Sequence, residues 1–326
     1  MLTDVSLGVW LATFVGLVAI VILDLAVIAR RNHAVTIKDA TRWVLFYVGL
    51  AAVFGVGLLV VGRSGAGGEF FAGYITEYSL SVDNLFVFVI IIARFGVPAL
   101  AQDKVLYIGI ILSLVLRSVF IAAGAAAIAA FSWVFYIFGV FLIYTAVKLA
   151  LEGKNDESDY QENAALRMMR KVLPTTHEYS GGSFTTQDDG KKLYTPMVIV
   201  IVAIGLANVI FALDSIPAIF GLTQDPYIVF TANAFALMGL RQLYFLIGGL
   251  LERIIYLNIG LSFILAFIGV KLIIEALHGS GLDTLGPLRL PEIGIAASLA
   301  VIVGTLAVTS AASLVSVKLE KSTSEK

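Results

Sequence analysis

The sequence predicts an all-α, polytopic membrane protein of about nine transmembrane helices, built around an inverted repeat of three helices followed by three. Three observations predict this fold: an apolar composition, a series of apolar stretches of membrane-spanning length, and a polar motif that occurs twice. Hydrophobic residues make up 59% and charged residues 14% of the 326 residues, whereas soluble domains average about 45–50% and about 25%. We therefore expect a single transmembrane domain over residues 1–326.

The composition also excludes several classes of function. The net charge of −1 provides no basic surface for nucleic acid. The chain has no cysteine, which excludes disulfides, thiolate metal sites and cysteine nucleophiles. The glycine-rich stretch 62–68 lacks the lysine of a phosphate-binding loop, which argues against an ATP-driven pump. We expect no enzymatic activity and no organic cofactor.

The apolar stretches define the individual helices, because a bilayer-spanning helix needs about 20 mostly apolar residues. The first stretch has no basic residue before it, which is typical of a retained span rather than a cleaved signal peptide. The nine predicted spans are Leu7–Ala29, Trp43–Val61, Phe71–Ile92, Val105–Ala126, Ile128–Leu151, Pro196–Phe220, Tyr227–Leu251, Ile254–Leu277 and Ile293–Leu314.

Basic residues between the spans predict the orientation, because cytoplasmic loops are enriched in lysine and arginine. Nine spans bring four basic segments to one side of the membrane: residues 30–42, 94–104, 152–195 and 318–326. We predict a multi-pass protein of the plasma (inner) membrane, with its N-terminus outside and its C-terminus in the cytoplasm. Residues 152–195 are then a cytoplasmic loop.

The third to fifth spans align with the sixth to eighth, which gives a first repeat over residues 71–151 and a second over residues 196–277. The spacing of Glu77 and Asp83 recurs in Asn208 and Asp214, and SVDNLFVF aligns with ALDSIPAIF. Because each unit has an odd number of spans, the second unit enters the membrane from the opposite side, as in many secondary transporters.

The polar residues of the two motifs form the candidate site. An aspartate at the centre of a membrane helix is unfavourable by about 2.5–3.5 kcal/mol, so such residues are usually functional. In inverted-repeat folds the site lies near the midplane where the two units meet. Ligands that supply only oxygen suit Mg²⁺, Ca²⁺ and Mn²⁺. The predicted ligands are Glu77, Asp83, Asn84, Asn208, Asp214 and Ser215.

Helical geometry restricts how these side chains share one site. Residues seven apart lie on the same face, which pairs Glu77 with Asn84. Residues six apart do not, and are separated by about 9 Å along a straight helix. Glu77 and Asp83 therefore need an unwound segment, or they serve different steps. Pro217 lies three residues after Asp214 and predicts a break in the sixth span.

A purely structural network of ion pairs is the alternative interpretation of the same polar residues. Each motif is followed, in the next span, by an arginine. In this interpretation Arg117 neutralises Asp83, and Arg241 neutralises Asp214.

Three further charged residues allow more than one role. Lys148 and Lys271 are each followed by an acid four residues later, and they pair with acids near their helix ends in the structural interpretation. Asp24 lies near the inner end of the first span. It is either a proton or metal stop along a transport path, or an interfacial residue.

The motifs resemble those of the TerC family of integral membrane proteins, named for tellurium resistance. The resemblance rests on EYSLSVDN at 77–84, FALDSIPAIFGLTQDP at 211–226 and TANAFALMGLRQLYFL at 231–246, and it covers nearly the whole chain. It implies a relation to LysE-type transporters, a role in Mn²⁺ export, and motif acids at Glu77, Asp83 and Asp214. The chain departs from the family at Gly205 and Asn208, which replace one or two acids and reduce the negative charge of the second half-site.

The residues and the resemblance together imply a secondary transporter that exports Mn²⁺ or a similar divalent cation, with Asp83 and Asp214 as core ligands and proton influx as the driving exchange. The alternative is a component of a membrane stress-response complex with no transport activity of its own. An intramembrane aspartyl protease is disfavoured, because Val82 and Leu213 precede the aspartates in place of that class's motif residues. Carboxylates repel the tellurite oxyanion, so any tellurium phenotype is expected to be indirect.

Overall fold

The computed structural model describes residues 5–29, 37–62, 65–131, 133–152, 176, 179–180, 183–188, 191–247, 256–282, 284–285 and 288–324. Within these residues, nine helical spans are long and apolar enough to cross a membrane, which confirms the all-α membrane fold. Most of the predicted cytoplasmic loop, residues 152–195, lies outside the described part of the chain.

The elements follow one another in the order of the predicted spans. The helices are α1 (Leu7–Ala29), α2 (Ile37–Val61), α3 (Ala66–Arg94), α4 (Ala99–Ala130), α5 (Val134–Glu152), α6 (Pro196–Phe220), α7 (Pro226–Leu237), α8 (Leu240–Ile247), α9 (Leu257–Gly279) and α10 (Ile295–Ser324). Two short antiparallel hairpins are added to this all-α frame. They are β1–β2 (Thr185–Asp188 and Lys191–Tyr194) and β3–β4 (Thr284–Leu285 and Leu288–Arg289).

The predicted boundary between the fourth and fifth spans is wrong, and so is the predicted break at Pro217. The fourth span was expected to end at Ala126, but α4 continues to Ala130 through an alanine-rich run that favours helix. The break expected at Pro217 does not occur, and α6 remains helical as far as Phe220. Pro217 is buried among the neighbouring helices, and packing of this kind compensates for the helical hydrogen bond that proline cannot donate.

The discontinuity lies instead in the seventh span. Helix α7 ends at Leu237 and α8 begins at Leu240, and between them Met238 is extended while Gly239 has a φ of +84°. A methyl group added to Gly239 would lie 3.0 Å from the ring of Tyr47. A broken helix is tolerated at membrane depth where protein surrounds it, and this span is the most enclosed of the nine, since 78% of an apolar stretch of 18 residues in it is buried.

The core is formed by three helix pairs: α3 packs on α7, α4 on α6, and α5 on α9. Each pair joins one helix of the first predicted unit to one of the second, and the pairing is reciprocal, as a two-unit repeat predicts. The opposite membrane orientation of the units stays a prediction. Helices α5 and α9 touch at two glycines, where a methyl group on Gly139 would lie 2.8 Å from the carbonyl oxygen of Gly269.

Helices α1, α2 and α10 lie at the periphery of the bundle. In an apolar stretch of 18 residues from each of these helices, only 6%, 17% and 11% of the residues are buried. Large apolar side chains point outward from them, including Leu11, Val53 and Val308. In a bilayer these faces contact lipid. The interior available for a polar site is therefore enclosed by the helices from α3 to α9.

The two ends of the bundle carry different connections. At the end where α3 stops, called here the Arg94 end, the Tyr179 hydroxyl donates to the Phe95 carbonyl oxygen at 2.6 Å. The ammonium of Lys104 lies 4.4 Å from the ring centre of Phe184 at the same end. The segment around β1–β2 is therefore docked on the junction of α3 and α4. The opposite end, called the Phe220 end, carries the turn from α6 to α7.

Candidate functional site

The centre of the bundle holds a buried ion pair between Glu77 of α3 and Arg117 of α4, whose side chains are 0% and 2% exposed. The guanidinium contacts Oε1 of Glu77 through Nη1, and the Ser81 hydroxyl donates to the same oxygen at 3.0 Å. Arg117 also donates to Oδ1 of Asn233 in α7, at 2.7 Å. Three helices are thus joined at one point, while Oε2 of Glu77 has no hydrogen-bond partner among the described residues.

A small cavity lies beside this ion pair and has room for about one water molecule. It brings together Asn84 and Asn208, two predicted ligands that come from different units. The Asn208 amide group donates to the Gly109 carbonyl oxygen of α4 at 2.9 Å, which fixes its orientation. The polar lining is Ser81, Asn84, Ser113, Arg117 and Asn208. Amide and hydroxyl oxygens from both units therefore converge on one small space.

Asp214 does not face this cavity. Its Oδ1 accepts a hydrogen bond from the Thr145 hydroxyl of α5 at 3.2 Å. Lys148, about one turn further along α5, interacts with it electrostatically. The carboxylate is half-buried between α5 and α6, and within the described residues no three acidic or histidine side chains are grouped closely enough to hold an ion.

The remaining predicted ligands are placed only in part. Asp83 lies within α3, but its side chain is outside the described residues. Helix α3 is continuous through Glu77 and Asp83, so no unwound segment brings them together. Ser215 is buried, and its hydroxyl has no partner in the described part of the chain. Gly205 packs against Leu112, where a methyl group would lie 3.0 Å away.

The structure gives the two arginines of the predicted ion pairs other partners. Arg117 is paired with Glu77, and its predicted pairing with Asp83 involves a side chain outside the described residues. Arg241 was expected to neutralise Asp214, but it contacts Asp24 at 3.4 Å and Asp103 at 3.3 Å. The physical reason is the direction of the seventh span, which starts at the Phe220 end and carries Arg241 toward the Arg94 end, whereas Asp214 lies near the Phe220 end of α6.

Of the two predicted lysines, Lys148 lies near Asp214, as described above, and Lys271 lies at the Phe220 end. Lys271 is buried and interacts electrostatically with Glu275 and Glu69. The carboxylate of Glu275 accepts a hydrogen bond from the Gln224 amide at 2.7 Å. This polar group lies at the Phe220 end, away from the central cavity.

Sequence reasoning missed several polar partners. Asn233 stands alone in the apolar stretch TANAFALMGL, and a buried amide in such a stretch needs a partner. That signal was available, but the partner Arg117 lies 116 positions away. Thr145 and Ser81 gave no signal, because isolated hydroxyls in membrane helices usually bond to their own backbone.

The chain is similar to known membrane proteins over most of its length. A profile of the integral membrane protein TerC family matches residues 63–321. An uncharacterized membrane protein of Mycobacterium tuberculosis is 44% identical over 312 residues, covering 94% of this chain and 78% of that protein. An uncharacterized membrane protein of Myxococcus xanthus is 44% identical over 269 residues, covering 82% and 84%.

A third relative carries a functional name. A protein of Escherichia coli named "Putative membrane-bound redox modulator Alx" is 39% identical over 306 residues, covering 91% of each chain. No solved structure matches the chain. The family profile covers most of the helical bundle, including both polar motifs and the central ion pair, and the chain therefore belongs to the TerC family of integral membrane proteins.

Proposed function

We propose that this protein is a secondary transporter that exports Mn²⁺, or a similar divalent cation, from the cytoplasm. The observation that carries the proposal is the buried carboxylate of Glu77. Its Oε2 has no hydrogen-bond partner among the described residues. Ser81 and Arg117, which contact its Oε1, line the cavity where polar side chains from both units meet. A buried carboxylate oxygen without a partner is unfavourable, and it is the kind of ligand that a hard cation prefers.

The charge balance of the site supports transient binding. Arg117 compensates Glu77, so the central cavity holds mainly neutral amide and hydroxyl ligands. The negative charge that attracts a divalent cation is then left to Asp83 and Asp214. Asn208 adds a neutral amide where an acid was expected. A transporter must release its cargo, and a site with few formal charges binds a cation less tightly than a fully carboxylate one.

Export also needs a source of energy. Moving two positive charges against an inside-negative potential requires about 4.6 kcal/mol per 100 mV, which is twice the single-charge figure. We expect proton influx to supply this energy. The two fluxes are coupled because carboxylates must lose their protons before they bind metal. In the proposed orientation the Arg94 end faces the cytoplasm, so cargo moves from Asp24 toward the Phe220 end.

The redox name of the Escherichia coli relative fits an indirect role. This chain has no cysteine, so its own side chains do not take part in thiol exchange. A transporter that changes the supply of a metal to other proteins alters their redox chemistry without carrying a redox group itself.

The proposal is tested by Mn²⁺ efflux from loaded cells, comparing the wild type with Asp83→Asn and Asp214→Asn at matched membrane expression. We expect both variants to stop efflux, because each removes a charged ligand from the path. Glu292→Gln serves as the control, since Glu292 is an exposed acid between β4 and α10. Normal export by both aspartate variants would overturn the assignment and favour a stress-complex component without transport.

The coupling is tested separately with the purified protein in lipid vesicles, oriented so that its cytoplasmic side faces outward. Accumulation of Mn²⁺ should be accompanied by alkalinisation of the vesicle lumen, and an imposed gradient that is acidic inside should accelerate uptake. Metal uptake that is indifferent to the pH gradient would remove proton exchange from the mechanism while leaving the transport assignment in place.

A further inference from the structure

A second polar cluster lies at the Arg94 end and takes no part in the central site. It joins three helices that are far apart in sequence. Asp24 comes from α1, Asp103 from α4, and Arg241 and Gln242 from α8, directly after the break in the seventh span. Asp24, Arg241 and Gln242 line a second cavity together with Tyr47 and Tyr107, and this cavity is larger than the central one.

The cluster has one more negative charge than positive, and its single arginine is held loosely. Arg241 contacts Asp24 at 3.4 Å and Asp103 at 3.3 Å, whereas charge-assisted hydrogen bonds are usually about 2.7–2.9 Å long. Its Nε is buried without a partner among the described residues. One guanidinium is therefore shared by two carboxylates and satisfied fully by neither.

Gln242 supplies an independent observation that points to a ligand. Its side chain is 2% exposed, and its amide nitrogen donates to Oδ1 of Asp24 at 3.1 Å. The amide oxygen of the same group is buried and has no partner in the described part of the chain. An unpaired amide oxygen beside a carboxylate, both lining one cavity, provides two of the oxygen ligands that a hard cation requires.

The position of the cluster provides a route to water. The Asp103 side chain is 40% exposed, whereas that of Asp24 is 15% exposed and faces the cavity. The cavity also touches Gly239, and Leu237 lines both this cavity and the central one. Ile110 of α4 also lines both cavities, so the two polar clusters are neighbours that share these two apolar residues.

We propose that Asp24, Asp103 and the amide oxygen of Gln242 form a second divalent-cation site, at which the guanidinium of Arg241 occupies the cation position in this conformation. The proposal rests on the proposed function, in which this end receives cytoplasmic Mn²⁺. A divalent cation that reaches Asp103 displaces Arg241, which is tethered to α8 at the break. The site would then load cargo before it passes to the central cavity.

The test measures the number of Mn²⁺ ions bound per chain by electron paramagnetic resonance, using the purified full-length protein in nanodiscs. This readout does not depend on transport, so a failure of the export assignment leaves it interpretable. Arg241→Gln removes the competing guanidinium, and we expect it to bind one more Mn²⁺ than the wild type. Adding Asp24→Asn should abolish the extra ion.

The matched control is Glu275→Gln in the Arg241→Gln background. Glu275 also accepts a hydrogen bond from a glutamine, but it lies at the Phe220 end. We expect this double variant to keep the extra ion. An unchanged number of ions in Arg241→Gln, or an extra ion that survives Asp24→Asn, would overturn the proposal.

A second variant covers the case in which Arg241→Gln does not fold. Gln242→Glu retains Arg241 and adds a carboxylate beside Asp24, so it should bind one more Mn²⁺ than the wild type. Loss of that ion on adding Asp103→Asn supports the site. A titration that matches the wild type counts against it.

Discussion

Arg117 and Arg241 are both buried arginines in the second span of a predicted unit, and their surroundings differ. Arg117 is fully enclosed, in close contact with Glu77 and bonded to Asn233 at 2.7 Å. Arg241 lies at the Arg94 end and reaches two partly exposed acids at 3.3–3.4 Å. An arginine that is enclosed with its counter-charge holds helices together, whereas one that shares two loose partners at a water-accessible edge can be exchanged.

The largest effect is expected from variants that break the enclosed pair of Glu77 and Arg117. Truncating one partner of a buried ion pair leaves an uncompensated charge and typically lowers stability by about 3–5 kcal/mol. We expect Arg117→Ala and Glu77→Ala each to cause a loss of this size, measured by unfolding of the purified protein in detergent. Arg241→Ala should lower stability by only about 1 kcal/mol, the upper value for a pair that water reaches, because Asp103 is exposed. Equal losses at the two arginines would remove the distinction between them.

A smaller effect concerns the break that positions Arg241. Gly239 has a φ of +84° and Gly96 a φ of +59°, and a side chain in this left-handed region is unfavourable by about 1–2 kcal/mol. Gly239→Ala should also press on the Tyr47 ring at 3.0 Å, whereas Gly96 has no neighbour within 4 Å. Gly239→Ala should therefore reduce stability more than Gly96→Ala in the same unfolding assay. Equal effects would mean that the Tyr47 ring moves aside without any loss of stability.

The smallest expected effect is the coupling between Asp103 and Arg241. Exposed ion pairs contribute about 0.2–1 kcal/mol in double-mutant cycles. We expect a coupling energy in this range from Asp103→Asn, Arg241→Gln and the double variant, and we expect it to fall as salt is raised. A coupling of several kcal/mol that is insensitive to salt would make Arg241 an anchor like Arg117.

The sequence predicts the number and order of the spans well, because apolar length is a local property. It is less informative about partners, because these depend on helix rotation. The placement of Arg117 against Glu77 follows from which face of α3 meets α4, and a single sequence does not fix that rotation. The proline at 217 was a strong local signal for a break, yet buried packing kept α6 helical.

The broken seventh span was harder to anticipate. The Met238–Gly239 pair sits inside an apolar run of normal length, and a lone glycine is common in membrane helices. Two features favour a glycine there, the positive φ and the close approach of Tyr47 from α2. The acids that contact Arg241 lie on α1 and α4, far away in the chain, so the second cluster was not accessible from a single sequence.

The glycine contact between α5 and α9 has a mechanical consequence. A methyl group on Gly139 would meet Cγ1 of Ile273 at 2.6 Å, and one on Gly269 would meet Cγ1 of Ile143 at 2.9 Å. Sliding either helix along the other would drive an isoleucine into the opposite backbone, whereas rotation about the crossing preserves the contact. At this contact the glycines therefore favour rocking of α5 against α9 over sliding of one helix along the other.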